Sequence, residues 1–305
     1  MASTAEHRDR VRAAMADAGI DVVLLGREAN ARYVTGANRL WLAGTRPFAP
    51  GCVLVAETGA VGLLSVTDDG VPDDVPRSGL YPISWNPMNL VAGAAAVARG
   101  ATVRRVGVDS MSPLFAQLLA GGFPDAELVD GEALLRRVRR TKSDADVAGI
   151  RAAGAVAEEM LGAVLDGAGD ATERAARAEE RRAARGVTTP AFPSVVDVED
   201  GRVAARVGVI RDGWLGVLAR TSPGGGPAKE RVDAAAARCR PGTPVGAVRA
   251  DGVSVEGVGL GHEALRDDDL LEAGMVVSVD AASDGTRWGD PLLVTDAGAE
   301  RLARA

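Results

Sequence analysis

The chain has few of the residues that most often build redox, metal and nucleic-acid sites. Its 305 residues include two cysteines, two histidines and only 3% aromatic residues. Cys52 and Cys239 are far apart in sequence and belong to no Cys-x-x-Cys pair, which favours two buried, reduced thiols over a disulfide framework or a zinc site. So few aromatic side chains also disfavour the stacking platforms with which proteins bind single-stranded nucleic acids.

The sequence also lacks long apolar runs and an excess of positive charge. No apolar run approaches the roughly 20 residues that a membrane-spanning helix requires. The first residues are charged and lack the apolar core of a secretory signal. The formal net charge is −7, which disfavours nucleic acids and anionic membranes as partners. We therefore expect a cytoplasmic protein that binds neither.

Apolar runs alternate with helical segments over the first half of the chain. The predicted strands are residues 21–25, 52–56, 61–66, 105–109 and 126–130. The runs at 52–56 and 61–66 flank a Thr58-Gly59 turn, which predicts a β-hairpin. Predicted helices cover residues 9–18 and 90–98, and a third begins at Ser112. This alternation predicts an α/β domain over residues 1–138.

The second half has a different pattern. A basic stretch over 136–143 is interpreted as a solvated linker, and its last residue, Ser143, is predicted to cap a long helix that continues through Met160. Further helices are predicted from Thr172 and over 229–239, and strands over 203–210, 214–219, 275–279 and 292–295. These elements predict an α+β domain with an antiparallel sheet over residues 142–305.

Short motifs in this order resemble the creatinase and aminopeptidase P family. They lie at residues 19–25, 30–36, 140–151, 172–173, 190–194, 212–214, 220–221, 262–263, 271–275 and 293–296. The resemblance covers nearly the whole chain. It implies a creatinase-like N-terminal α/β domain followed by a shortened pita-bread domain. It also implies a homodimer, for which Trp41 and Phe48 are candidate contact residues, although they could equally belong to the local core.

The peptidases of this family hold two divalent metals with two aspartates, one histidine and two glutamates. The matching positions in this chain are occupied by Arg206, Val217, Glu256, Asp280 and Gly289. Hard carboxylate ligands suit such cations, whereas a guanidinium group repels them. The resemblance therefore implies a member of the family that has lost its metal ligands, and we expect no metal or other cofactor.

His262 takes a position that resembles the family's second histidine, which contacts the substrate and transfers protons. An imidazole suits general acid–base catalysis near neutral pH, although a purely structural role remains open. We expect Glu263 to be structural and His7 to be a solvated surface residue. The resemblance places a further set of residues around the emptied pocket: Trp214, Arg220, Glu256, Asp280, Arg287 and Trp288.

The two arginines of this set, Arg220 and Arg287, lie beside indole rings in the predicted pocket, which favours a carboxylate or another anionic ligand. Alternatively, Arg206 and Arg287 form ion pairs with Glu256, Asp280 and Asp290 and fill the former metal cavity. Three functions follow as hypotheses. The first is a metal-independent hydrolase or lyase acting on a small, anionic, nitrogenous metabolite, with His262 as general acid–base. The alternatives are a non-catalytic pseudopeptidase that binds a peptide or protein, and an Xaa-Pro aminopeptidase-type metallopeptidase.

Overall fold

The computed structural model describes residues 4–37, 51–65, 67–110 and 112–303. The chain divides between Arg139 and Arg140 into two compact units. Trp41 and Phe48, the candidate subunit contacts, lie outside the described residues. Within the described ranges, no helix combines the length and apolar character needed to cross a membrane.

The N-terminal unit is an α/β domain. Its helices are α1 (Thr4–Ala18), α2 (Glu28–Thr35), α3 (Pro87–Val97), α4 (Pro113–Gly122) and α5 (Gly131–Arg140). Its strands are β1 (Val22–Leu25), β2 (Cys52–Val55), β3 (Val61–Leu64), β4 (Leu80–Tyr81), β5 (Arg105–Val108) and β6 (Glu127–Asp130). They form one sheet in the order β4-β3-β2-β1-β5-β6, in which β1 is antiparallel to β2 and parallel to β5.

Several sequence predictions are confirmed in this unit. Strands β2 and β3 form the predicted antiparallel hairpin, with Cys52 opposite Leu63. The strands pack against α3 and α4 through a core that includes Val53, Val106 and Phe115. Cys52 is a buried free thiol, as is Cys239 in the second unit.

Two predictions were wrong because tertiary packing overrides the local polarity of the sequence. His7 is only 5% exposed and stacks on Tyr33, with ring centroids 3.9 Å apart, instead of lying in solvent. The basic stretch after residue 135 is not a solvated linker, because α5 continues to Arg140. Leu134, Leu135 and Val138 form a buried apolar face on this helix, and burial of that face extends the helix through the arginines.

The C-terminal unit is an α+β domain. Its helices are α6 (Asp144–Leu165), α7 (Ala171–Ala184), α8 (Gly226–Arg238) and α9 (Val245–Val248). Its strands are β7 (Thr189–Pro190), β8 (Val195–Glu199), β9 (Arg202–Arg211), β10 (Trp214–Ser222), β11 (Ser254–Gly259), β12 (Gly261–Glu263), β13 (Val276–Ser283), β14 (Thr286–Thr295) and β15 (Gly298–Arg301). Ser143 caps α6 as predicted: its hydroxyl accepts from the Asp146 amide, and the Asp146 carboxylate accepts from the Ser143 amide.

The nine strands form one antiparallel sheet whose main path is β12-β11-β13-β14-β10-β9-β7. Helices α6 and α8 pack against the same face of this sheet, which we call the helix face. Alternate residues of the strands, such as Val207, Leu218 and Val279, bury against these helices. The intervening residues point to the opposite face, which carries the candidate site and which we call the site face.

Candidate functional site

A straight row of residues crosses four strands on the site face. Arg206 of β9 lies opposite Ala219 of β10, Ala219 lies opposite Gly289 of β14, and Gly289 lies opposite Asp280 of β13. Directly opposed residues of antiparallel strands project to the same side of a sheet. The register therefore brings Arg206 and Asp280 together from strands that are not neighbours.

The two residues in the middle of this row leave room for the charged ones. Arg206 Nε lies 3.6 Å from Asp280 Oδ2, across Ala219 and Gly289. A Cβ atom at Gly289 would lie only 2.5 Å from the same Asp280 oxygen. The Asp280 carboxylate can therefore occupy this position only because Gly289 has no side chain.

Phe192 lies beside Arg206, where its ring packs on the guanidinium group. The guanidinium carbon is 4.2 Å from the ring centroid, a cation–π geometry. The ring also lies over Gly208, where a methyl group would collide with it. The ring centroid is also 6.3 Å from that of His262. Phe192 is thus close to both the arginine and the histidine.

His262 and Glu256 form a close pair on the site face. His262 Nδ1 lies 2.8 Å from Glu256 Oε2. The register explains this contact, because His262 of β12 lies opposite Val258 of β11, two residues from Glu256. The side chains remain accessible, with 37% and 47% of their surface exposed. A carboxylate at Nδ1 favours the tautomer with the proton on that atom, which leaves the Nε2 lone pair free to accept a proton.

Arg287 also lies on the site face, two residues before Gly289 along β14. Its guanidinium group is 3.8 Å from the Asp197 carboxylate, a long ion-pair distance. The Nε atoms of Arg206 and Arg287 are both buried, and neither has a hydrogen-bond partner among the described residues. A ligand cannot reach these buried atoms. The two side chains are nevertheless 21% and 23% exposed, so a ligand could accept hydrogen bonds from their other guanidinium nitrogens.

The charges on this face act on Asp280. Burial raises the pKa of the Asp280 carboxyl above its ordinary value of 3.8. The Arg206 and Arg287 guanidinium groups lower the pKa, and the Glu256 carboxylate raises it further. The net direction is upward, so the cost of burying the carboxylate exceeds its attraction to the two arginines.

The residues present do not fit a pair of divalent metals. Val217 is 2% exposed and packs in an apolar cluster with Ile150 and Leu215. Gly289 offers no ligand atom, and the Arg206 guanidinium lies against one of the two remaining carboxylates. In the part of the chain that the structure describes, no three His, Cys, Asp or Glu side chains are grouped to hold a metal ion.

Three of the expected pocket residues lie away from this cluster. Along their strands, Trp214, Arg220 and Trp288 alternate with the site-face residues, so they project to the helix face. Trp214 packs against Gly149 of α6. The Arg220 guanidinium donates to Asp290 Oδ1 at 2.7 Å and stacks on Trp288 with 4.2 Å from its carbon to the ring centroid.

Asp290 is the centre of this second cluster. From the sequence it was considered as a partner of Arg206 or Arg287, whereas in the structure its partners are Arg220, Trp288 and Arg301. It is 1% exposed, and its Oδ2 accepts from Trp288 Nε1 at 3.1 Å and from Arg301 Nε at 2.9 Å. Because these contacts satisfy the carboxylate from several sides, the cluster stabilises the domain interior. No sequence pattern signals it, since Arg220 of β10 meets Asp290 of β14 only through the pairing of two strands that are distant in sequence.

Two further contacts could not be anticipated from the sequence: Phe192 near His262, and Lys142 with Glu263. Phe192 was noted only as part of a family-like motif. Lys142 Nζ lies 2.6 Å from Glu263 Oε2, and the two side chains are 3% and 13% exposed. Glu263 thus has the structural contact that was expected of it. Lys142 precedes Glu263 by 121 positions, so their spacing in the sequence could not have indicated this ion pair.

Comparisons with known proteins agree with this architecture. Residues 7–141 match the creatinase/prolidase N-terminal domain. No curated protein sequence matches the chain.

Solved structures of similar fold include an Xaa-Pro dipeptidase from Bacillus anthracis, with a TM-score of 0.77 and 18% identity over 99% of this chain and 98% of that one. They also include the prolidase from Pyrococcus horikoshii, with a TM-score of 0.75 and 18% identity over 98% of both chains. The dipeptidase PepE from Mycobacterium ulcerans has a TM-score of 0.71 and 21% identity over 100% of this chain and 96% of its own. The chain therefore has the two-domain prolidase fold and begins with a creatinase/prolidase N-terminal domain.

Proposed function

We propose that the chain is a metal-independent enzyme that acts on a small metabolite carrying both an anionic group and a nitrogen group, with His262 as general acid–base. The observation that carries this proposal is the Glu256–His262 pair at 2.8 Å, on the same sheet face as Arg206 and Arg287, whose side chains are 21% and 23% exposed. This combination would provide a proton-transfer group and an anion-binding group on one face of the sheet.

The arginines supply the anion-binding part of the site. Arg206 Nε is 3.6 Å from the Asp280 carboxylate and Arg287 Nη2 is 3.8 Å from the Asp197 carboxylate, so neither contact is a hydrogen bond of normal length, and both arginine side chains are partly exposed. A ligand carboxylate could accept hydrogen bonds from either guanidinium group. Glu256 and Asp280 on the same face disfavour a ligand that is only anionic. They favour one that also carries a basic or hydrogen-bonding nitrogen.

The His262–Glu256 pair supplies the proton transfer. In hydrolysis of a carbon–nitrogen bond, His262 Nε2 takes a proton from the attacking water as its oxygen bonds to carbon. The proton then passes from Nε2 to the leaving nitrogen as the carbon–nitrogen bond breaks. Glu256 holds Nδ1–H and stabilises the imidazolium ion between these steps. An elimination would use the same atoms, with the first proton taken from substrate carbon.

The first experiment is a ligand screen followed by a turnover assay. Thermal unfolding would be measured with a panel of amino acids, N-substituted amino acids, guanidino acids and dipeptides, and turnover of each compound followed by mass spectrometry. For a compound that is turned over, His262→Gln should lower kcat by about 100- to 10,000-fold, the usual contribution of general acid–base catalysis. A His262→Gln variant that keeps full turnover would refute the catalytic assignment.

The role of the arginines has a matched control on the same strand. Arg206→Met should raise the KM or Kd for the ligand, because the guanidinium group that receives the anion is lost. Arg211→Met should leave binding unchanged, since the Arg211 side chain is 43% exposed and its ion-pair partner is the neighbouring Asp212. Equal effects of the two variants would refute the anion-binding role of Arg206.

The metallopeptidase alternative is tested directly by metal content. The purified protein would be incubated with excess manganese, cobalt or zinc, desalted and analysed by mass spectrometry for bound metal. We expect no stoichiometric metal. About two metals per chain, removable by a chelator with loss of dipeptide cleavage, would overturn metal independence.

A further inference from the structure

The strand that carries His262 is short and lies at the end of its sheet. Strand β12 has three residues, Gly261–Glu263, and is the terminal strand on the path β12-β11-β13. It pairs with β11 through three residue pairs. Short terminal strands with so few backbone hydrogen bonds open easily, so additional contacts are needed to keep His262 in one orientation.

Glu263, the neighbour of His262, occupies a slot made by two glycines of β11. A Cβ atom at Gly257 would lie 2.8 Å from Glu263 Cβ, and one at Gly259 would collide with the Glu263 carboxylate. The slot allows the carboxylate to lie against the strand and to become largely buried. A buried carboxylate requires a partner of opposite charge.

Lys142 is that partner. Its ammonium group is 2.6 Å from Glu263 Oε2, and it also donates to the Arg140 carbonyl oxygen at 3.1 Å. Its backbone amide donates to the Gly274 carbonyl oxygen at 2.8 Å, in the turn before β13. Lys142 thus connects the terminal strand to the interior of the domain.

We propose that Lys142 is a positioning residue for His262: through its buried ion pair with Glu263 it holds β12 in the register that aims His262 Nδ1 at Glu256. The importance of this role for catalysis rests on the proposed function, but the orientation of His262 can be measured without a substrate. The quantity to measure is the tautomer of the neutral His262 imidazole. Contact with Glu256 favours a proton on Nδ1, and release of β12 would allow the proton to move to Nε2.

The experiment uses the full-length protein labelled with ¹⁵N. The chain has two histidines, so a His7→Gln variant identifies the imidazole signals of His262. Spectra would be recorded at about pH 8, where an ordinary imidazole is neutral. We expect predominantly the Nδ1–H tautomer in the wild-type protein. In Lys142→Met we expect this tautomer to be lost in favour of a mixture of the two.

The second lysine of the chain is a matched control. Lys229 forms an ion pair with Asp233 on the surface of α8, so Lys229→Met should leave the His262 tautomer unchanged. If Lys142→Met does not fold, the double variant Lys142→Met/Glu263→Gln removes both charges and leaves no uncompensated ion in the interior. A folded single or double variant that keeps the wild-type tautomer would overturn the proposal, as would an equal change in Lys229→Met.

The two proposals can fail separately. If no ligand is turned over but the tautomer depends on Lys142, the enzymatic function is refuted and the positioning of His262 stands. If turnover depends on His262 but its tautomer does not depend on Lys142, the catalytic function stands and the positioning role is refuted.

Discussion

Gly289 gives the sharpest test of the row that brings Arg206 and Asp280 together. In Gly289→Ala, the new methyl group would lie 2.5 Å from Asp280 Oδ2 and 3.3 Å from Ala219 Cβ. Normal carbon–oxygen contacts are about 3.3 Å, so the Asp280 carboxylate would have to move by roughly 0.8 Å. Both the aspartate rotamer and its distance to the guanidinium group of Arg206 would change.

The cost of this movement follows from the energetics of overpacking. Adding one methyl group to a closely packed site destabilises a protein by about 1–3 kcal/mol. For a domain of this size, each kcal/mol lowers Tm by roughly 2–4 °C. We therefore expect Gly289→Ala to lower the Tm of the transition that contains the C-terminal domain, and to weaken binding of any ligand held by Arg206.

A second glycine in the same domain serves as the control. Gly162 lies in α6, and a Cβ atom there would meet nothing within 4 Å. Gly162→Ala should therefore stabilise the protein by about 0.4–1 kcal/mol, because alanine loses less conformational entropy in a helix. The two substitutions add the same atoms and are expected to act in opposite directions. A Gly289→Ala variant as stable as the wild type would show that the methyl group does not meet Asp280 as described.

Three further predictions test other parts of the structure. Because burial raises the pKa of Asp280 in the folded state above the unfolded value of 3.8, its ionised form destabilises the protein. Asp280→Asn should therefore raise the free energy of unfolding at pH 7. This gain in stability should disappear as the pH falls through the raised pKa of Asp280 towards its unfolded value. A stability difference between variant and wild type that is constant with pH, or of opposite sign, would contradict this account. Burial raises the pKa of Cys239 to about 11 and that of Cys52 still further. Neither thiol should therefore react with a thiol reagent near pH 8 until the protein unfolds. Fast reaction of the native protein would contradict the burial of the two thiols. Ser143→Ala removes the N-cap of α6 and should cost about 1 kcal/mol in a denaturant titration, whereas Ser143→Thr should keep most of the stability.

Local signals in the sequence predict much of the secondary structure. The cap at Ser143 is correct because capping depends on residues three positions apart. The hairpin of β2 and β3 is correct because a turn separates two apolar runs. Strands β4, β7, β8, β11, β12 and β15 were missed, since they are polar, glycine-rich or very short. Their strand conformation comes from pairing with neighbours that lie elsewhere in the sequence.

The candidate site was predictable only in part. The family resemblance singled out Arg206, Glu256, Asp280 and His262, and the structure brings these residues to one sheet face. The same reasoning grouped them with Trp214, which the structure places towards the helices. The strand period of two separates neighbouring residues onto opposite faces, but only the observed register shows which face is open to a ligand.

The sequence by itself determined the local features of this protein: its turns, its caps, its apolar periodicities, and the loss of the acidic residues that would hold metals. Only the tertiary structure decided that Arg206 reaches Asp280 and that Lys142 reaches Glu263. The physical reason is that backbone hydrogen bonds between strands are largely independent of residue type. Contacts between distant segments therefore depend on how the whole sheet pairs and packs.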